Sequence, residues 1–210
     1  MKLNPIDLTL YLVLDPELCG SPAEMVRTAR RAAENGATVV QLRAPNWKKR
    51  QWLETARELK AVLAPLGVPL IINDQVDVAL AIDADGVHVG QADLPVAETR
   101  RLIGPDKILG LSVSNATQLG AVPEGVDYLG IGPVYPTGTK LDAAAVLGVS
   151  QFAELVAAAG LPVVAIGGIK AGNCAPLFTA GAKGVAVVSA ICGQDDPGLA
   201  TRDLLKIIQG

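Results

Sequence analysis

The sequence predicts an α/β protein: a single parallel (β/α)8 barrel occupying residues 1–210 as one domain. Three observations predict it. Eight short apolar runs alternate with longer amphipathic stretches, the pattern of repeated βα units rather than of hairpins. Half of the residues are hydrophobic but only 3% are aromatic, so the core is built from Ala, Val, Ile and Leu, as suits strands buried on both faces. Glycine-rich elements follow the seventh and eighth runs, where barrels of this kind commonly hold a phosphate.

Taken in order, the runs are Leu8 to Leu14, Thr38 to Leu42, Leu70 to Asn73, Gly86 to Val89, Ile108 to Ser112, Tyr128 to Ile131, Val163 to Ile166 and Gly184 to Val188. Between them, Pro22 to Asn35 and Trp47 to Leu66 carry apolar residues at helical spacing, and Gly36 and Gly67 stand where helix C-caps belong. An open doubly wound sheet would announce a glycine-rich turn after its first strand, whereas here that strand runs into Asp15-Pro16-Glu17-Leu18. No linker, charge block or low-complexity tract divides the chain.

Composition excludes several classes. With a net charge of -3 and no basic stretch longer than Lys48-Lys49-Arg50, the chain has no electrostatic footprint for nucleic acid. No apolar run reaches the roughly 18 residues of a membrane span, and Met1 to Pro5 lacks an apolar signal core, so a soluble cytoplasmic protein without membrane partners is expected. Cys19, Cys174 and Cys192 have neither CxxC spacing nor a nearby histidine, which fits free thiols in a reducing compartment better than a metal or redox site.

In a barrel, residues just past the strand ends converge on one mouth. Those residues are Gln41 and Arg43 after strand two, Asn73 and Asp74 after three, Gln91 and Asp93 after four, and Ser112 after five. Thr137, Thr139 and Lys140 follow strand six, Gly168 strand seven and Ser189 strand eight. Asp74 and Asp93 leave adjacent strands and suit an octahedral Mg2+ shared with phosphate oxygens; each could instead cap the helix that follows it. Arg43 ends an apolar strand and offers a planar fork of donors to a phosphate, the alternative being a salt bridge at the rim. Gly132 to Lys140 is too long for a plain βα connection and reads as a substrate-covering loop. Gly168, and the main chain at Val188 and Ser189 ahead of a helix, can offer N–H groups to a phosphate, unless Gly167-Gly168 is only a tight turn. His88, the only histidine, lies inside an apolar strand and reads as a buried, hydrogen-bonded imidazole outside the catalytic set.

As a set, Gln41-Leu42-Arg43, Asn73-Asp74, Asp85 through Pro95, Gly110-Leu111-Ser112, Gly132-Pro133 through Thr139-Lys140 and Ala165 through Ile169 resemble the thiamine-phosphate synthases, from first strand to last helix. The resemblance implies a transferase that joins a hydroxymethylpyrimidine diphosphate to a thiazole phosphate, ionising the former first and releasing diphosphate. It implies Mg2+ on Asp74 and Asp93, with Gln41, Arg43, Asn73, Ser112 and Lys140 on the pyrimidine substrate, of which Arg43, Ser112 and Lys140 are the catalytic set. Thr137, Thr139, Gly168, Val188 and Ser189 would hold the thiazole phosphate. A homo-oligomer is compatible with it. One departure stands out: the family's lysine two residues past the strand-two arginine is Pro45 here, leaving Lys48 or Lys49 as substitutes. Competing readings are a thiazole tautomerase of the TenI type, which carries a histidine past strand five where this chain reads Ser112-Val113-Ser114-Asn115, and a non-catalytic phosphate-binding barrel.

Overall fold

A computed structural model describes residues 6–138 and 145–210. The parallel strands β1 (Leu10–Leu14), β2 (Val39–Leu42), β3 (Leu70–Asn73), β4 (Gly86–Val89), β5 (Ile108–Val113), β6 (Tyr128–Ile131), β7 (Val163–Ile166) and β8 (Gly184–Val187) close into a barrel in sequence order, with β8 pairing back onto β1. Helices α1 (Pro16–Cys19), α2 (Pro22–Ala33), α3 (Lys49–Leu63), α4 (Val76–Ile82), α5 (Val96–Ile103), α6 (Ala116–Gly120), α7 (Gly148–Ala158), α8 (Ala175–Thr179) and α9 (Pro197–Gln209) follow their strands.

The alternation of strand side chains explains the layers. Leu10, Leu12 and Leu14 on β1 face the helices and join a core shared with Met25, Trp52, Leu59 and Phe152. The intervening Tyr11 and Val13 face inward, where they meet Val39, Ile71, Tyr128, Val164 and Ala186 inside the barrel. Strands buried on both sides therefore need apolar residues at nearly every position, which is why the runs read as continuous rather than alternating.

Element ends differ from expectation for local reasons. The first strand begins at Leu10, not Leu8, and the space over the Leu8 carbonyl is filled by Gly184, where any Cβ would collide with that oxygen. The eighth ends at Val187; Val188 instead opens a turn whose carbonyl accepts from the amides of Ile191 and Cys192. The helix expected over Pro22 to Asn35 stops at Ala33. That expected over Trp47 to Leu66 starts at Lys49 and tightens into a 3-10 turn at Ala64–Leu66, where Pro65 has no amide hydrogen to continue the ladder, before Gly67 turns left-handed at φ 68.

The foot of the barrel is clasped by a repeated device. Residues just ahead of the even strands, Thr38, Asp85, Asp127 and Lys183, donate their amides to the carbonyls of Leu10, Leu70, Leu109 and Val163 on the preceding odd strands. In the first three pairs the side chain also accepts the partner's amide: Thr38 Oγ1 from Leu10 at 3.1 Å, Asp85 Oδ2 from Leu70 at 2.8 Å, and Asp127 Oδ2 from Leu109 at 2.9 Å. Arg100 on α5 reinforces the third clasp, reaching Asp127 Oδ2 at 2.7 Å and donating to the carbonyls of Gly104, Lys107 and Gly125. With both side chains under a fifth exposed, at 18% and 17%, this pair is shielded from the screening that weakens surface salt bridges. Replacing Arg100 with Met should lower the unfolding free energy by about 2 to 4 kcal/mol in a urea titration, since it strands Asp127 in a half-dry site. A loss below about 0.5 kcal/mol, the level of an ordinary surface substitution, would show that the clasp is not structural.

Candidate functional site at the barrel mouth

The mouth is assembled where strands give way to loops. On the β2 side, Arg43 is half-buried and makes no ion pair among the described residues, so no described carboxylate forms the rim salt bridge that is the alternative for it. Gln41 lies deeper than a mouth residue: it is 5% exposed, and its Nε2 donates to the Tyr11 hydroxyl at 2.8 Å inside the barrel. Pro45 is exposed at the start of the loop into α3. Lys49 does not stand free to replace the missing lysine, because its ammonium is held by Gln75 Oε1 and by Asp77 Oδ1, the latter at 2.7 Å. Lys48, the residue before α3, is exposed.

At β3 and β4 the two carboxylates sit on neighbouring loops. Neither caps a helix as the bland alternative would have it: α4 is preceded by Gln75 and α5 by Pro95, both without a side-chain cap. Asp74 adopts a left-handed backbone at φ 58, a conformation that costs a non-glycine residue about 1 kcal/mol or more. Its amide donates to the His88 carbonyl at 2.9 Å, and the Asn73 side-chain amide donates to its Oδ2 at 2.6 Å. The cost is thus offset by contacts that aim the carboxylate. Asp93 Oδ2 accepts from the Gly90 amide at 2.8 Å, closing its own loop, while Gln91 Nε2 donates to the Ser112 carbonyl at 2.7 Å and ties that loop to β5. Among the described residues no three His, Cys, Asp or Glu side chains gather into a metal cage. Two hard carboxylate oxygen donors, with the remaining positions left to water and substrate, fit Mg2+ and do not fit a protein-enclosed Zn2+ site.

Across the ring, the β6 loop is anchored at its base. It contains a cis peptide between Gly132 and Pro133. Val134 and Tyr135 donate their amides to the carbonyls of Ile166 and Gly167, and the Tyr135 hydroxyl donates to the Asn173 carbonyl at 2.9 Å. Gly167 and Gly168, at φ 100 and 65, pack directly against Pro133, Tyr135 and Pro136, leaving no room for a Cβ on either. The tight-turn reading of these glycines is therefore right as far as packing goes. It does not use the Gly168 amide, which makes no hydrogen bond among the described residues, as is also true of the amides of Ser189 and Ala190 in the turn after β8. That turn is a short helical one rather than the start of α9. Thr137 is half-buried in the loop; Thr139 and Lys140 lie outside the described residues.

His88 is buried in β4, with Nδ1 2.9 Å from the Tyr128 hydroxyl and Nε2 2.9 Å from Ser112 Oγ. This is the satisfied interior imidazole that the sequence suggested. Tyr11 and Tyr128, which sequence reasoning passed over, meet hydroxyl to hydroxyl at 2.8 Å, and burial pushes the ionisation of both phenols far above the ordinary tyrosine range. A signal existed: with only 3 tyrosines in the chain, two stand at strand positions that alternate with helix-facing leucines, and so point inward.

Fold and mouth together define the class: a (β/α)8 barrel with backbone amides after strands seven and eight that have no partner among the described residues, as in phosphate-binding barrels. The chain belongs to the thiamine monophosphate synthase family, whose model matches residues 10–191. It is 59% identical over 202 residues to a thiamine-phosphate synthase from Laribacter hongkongensis, covering 96% of each chain, and 52% identical to one from Xanthobacter autotrophicus, covering 96% and 95%. Among solved structures, a thiamine phosphate pyrophosphorylase from Pyrococcus furiosus superimposes with a TM-score of 0.85 at 36% identity, covering 98% of this chain and 97% of that one.

Gly168→Ala should displace the β6 loop, because the added Cβ meets the Pro136 carbonyl and a strained backbone together. Protection against thermal unfolding by inorganic phosphate, read by calorimetry, is expected to fall to less than half of wild type. Undiminished protection would remove this amide from the phosphate cradle.

Proposed function

We propose that the chain is a transferase that joins 4-amino-2-methyl-5-hydroxymethylpyrimidine diphosphate to thiazole phosphate, forming thiamine phosphate and releasing diphosphate. The observation that carries this reading is the division of the mouth. In a closed ring of eight strands β3 and β4 stand opposite β7 and β8, so the loops carrying Asp74 and Asp93 lie across the opening from Gly168 and Ser189, whose amides have no partner among the described residues. One side suits a metal-bound diphosphate and the other a phosphate monoester, with the reacting carbon and nitrogen meeting over the axis.

Mg2+ held by Asp74 and Asp93 would neutralise charge on the departing diphosphate. The remaining work falls to the chain's own side chains. Arg43, unpaired with any described carboxylate, offers a bidentate fork to phosphate oxygens, and Asn73 holds Asp74 in place. Ser112 presents a hydroxyl beside β5, and Lys140 would add a second cation from the β6 loop. Gln41 lies below the pyrimidine position, with Thr137 and Thr139 on the thiazole side, whose phosphate would rest on Gly168 and on the turn at Val188 and Ser189. Such a step asks for stabilisation of a leaving anion more than for a strong base. The whole chain, 1–210, would act as one unit, and its free thiols suit a reducing, cytosolic compartment. We extend the reading to small phosphorylated substrates alone, with neither nucleic acid nor membrane as partner and with room for a homo-oligomer. A tautomerase would ask for an imidazole past strand five; the one histidine is instead inside β4, bonded to Tyr128 and Ser112.

Asp74→Ala and Asp93→Ala should each lower thiamine phosphate formation by roughly 100-fold or more at limiting Mg2+ while leaving the circular dichroism spectrum intact. Unchanged turnover in either variant would sink the metal assignment. Pro45→Lys should tighten binding of the pyrimidine diphosphate by about 1 to 3 kcal/mol if the new ammonium makes charge-assisted hydrogen bonds. Should Lys48 already serve that subsite, the gain disappears and Lys48→Ala weakens binding instead, a result isothermal titration with Mg2+ present would separate.

A further inference from the structure

Inside the barrel, Gln41 and Ser112 of the mouth set are joined through three polar side chains, Tyr11, Tyr128 and His88, that the mouth chemistry does not call for. Barrel interiors are ordinarily filled by branched apolar residues, and each buried polar group must be hydrogen-bonded or it destabilises the fold. Here five residues from five strands form one continuous chain. Gln41 Nε2 donates to Tyr11 Oη at 2.8 Å, Tyr11 Oη and Tyr128 Oη are 2.8 Å apart, Tyr128 Oη is 2.9 Å from His88 Nδ1, and His88 Nε2 is 2.9 Å from Ser112 Oγ. No described buried side-chain nitrogen or oxygen lacks a partner.

Space for the chain is made by missing side chains. Gly110 on β5 stands in register with His88 on one side and Tyr128 on the other, and a Cβ there would overlap both the Tyr128 ring and His88 Nδ1. Gly130 on β6 leaves the other edge of the imidazole open, with a Cβ only 3.2 Å from Cε1. The two rings meet across the gap with centroids 5.5 Å apart.

The chain has a direction. An amide nitrogen can only donate, so Tyr11 accepts from Gln41 and its single hydroxyl hydrogen goes to Tyr128. Tyr128 then donates to Nδ1 of the imidazole, since burial keeps both phenols protonated. A neutral imidazole accepting at Nδ1 carries its hydrogen on Nε2 and donates it to Ser112 Oγ. Ser112 Oγ makes no other hydrogen bond among the described residues, and with its lone pair on His88 its own hydrogen is left to donate elsewhere.

We propose that this chain is a positioning relay, in which Gln41, Tyr11, Tyr128 and His88 fix Ser112 as a hydrogen-bond donor aimed at an oxygen of the departing diphosphate. His88 is thereby a positioning residue whose tautomer matters, not a base, and no proton is transferred along the chain. The relay rests on the proposed reaction for its purpose but not for its geometry.

The chain has 1 histidine, so imidazole 15N resonances of tag-free, uniformly labelled protein report His88 alone. The relay requires the Nε2–H tautomer in the free enzyme, with Nδ1 unprotonated. Finding Nδ1–H would mean that the chain runs the other way and the Ser112 hydrogen points inward, which overturns the proposal whatever the enzyme catalyses. Failure of wild type to make thiamine phosphate would overturn the reaction while leaving the tautomer result to stand or fall by itself. If both hold, Tyr128→Phe and His88→Leu should lower kcat by about 10- to 100-fold with KM for the pyrimidine diphosphate changed less than about twofold, and His88→Gln, which can return an N–H near the Nε2 position, should recover part of that loss. A merely structural role predicts lower melting temperatures with kcat unchanged below them, and that outcome would refute the relay.

Discussion

Closure of eight parallel strands into a ring is the constraint from which the other features follow. A closed ring has no edge, so every strand has a neighbour on each side, and its faces are covered by the helices and by the barrel interior. Polar side chains therefore gather at the two rims and in one hydrogen-bonded chain through the interior. At the foot, Thr38, Asp85 and Asp127 use their side chains to accept amides from the neighbouring strand, and Arg100 neutralises the last of them. At the mouth stand Asp74 in a left-handed conformation with Asn73 donating to its carboxylate, Arg43 without a described carboxylate, and amides at Gly168 and Ser189 without acceptors among the described residues. Polar groups thus stabilise the foot and gather around the mouth.

That division matches part of the placement of strain. Asp74 at positive φ and the glycine pair packed too closely for any side chain lie on opposite sides of the mouth, whereas the other non-glycine residue at positive φ, Asp83, ends α4. The β6 loop illustrates the point, since its first residues are hydrogen-bonded to the β7 end and give Gly167 and Gly168 their steric environment. Two loops thus hold each other, so neither can shift without moving the amides that the other supports.

Much of this was legible in the sequence because its signals are local. Continuous apolar runs mark strands buried on both faces, so all eight were found to within two residues, and Gly67 marked its helix end by conformation. Legibility declined where a contact joins distant strands. Tyr11 and Tyr128 are 117 residues apart, and nothing near either one shows that their hydroxyls meet; only the inward half of the strand alternation could have raised the question. For the same reason Gln41 read as a mouth residue although its amide is turned into the barrel. The capping alternatives for Asp74 and Asp93 stayed open beside the site reading because an aspartate before a helix has the same local pattern in both; the uncapped starts of α4 and α5 decide against them.

If both proposed half-sites share one opening, the pyrimidine diphosphate and the thiazole phosphate react together there, and each turnover releases one diphosphate for each thiamine phosphate formed. The decisive measurement is to incubate the protein with both substrates and Mg2+ and to quantify the two products by chromatography and 31P NMR. Equal amounts of thiamine phosphate and diphosphate, formed only when Mg2+ and both substrates are present, are what the proposed division of the mouth predicts. Tight binding of the thiazole phosphate without either product, or isomerised thiazole phosphate in their place, would contradict it.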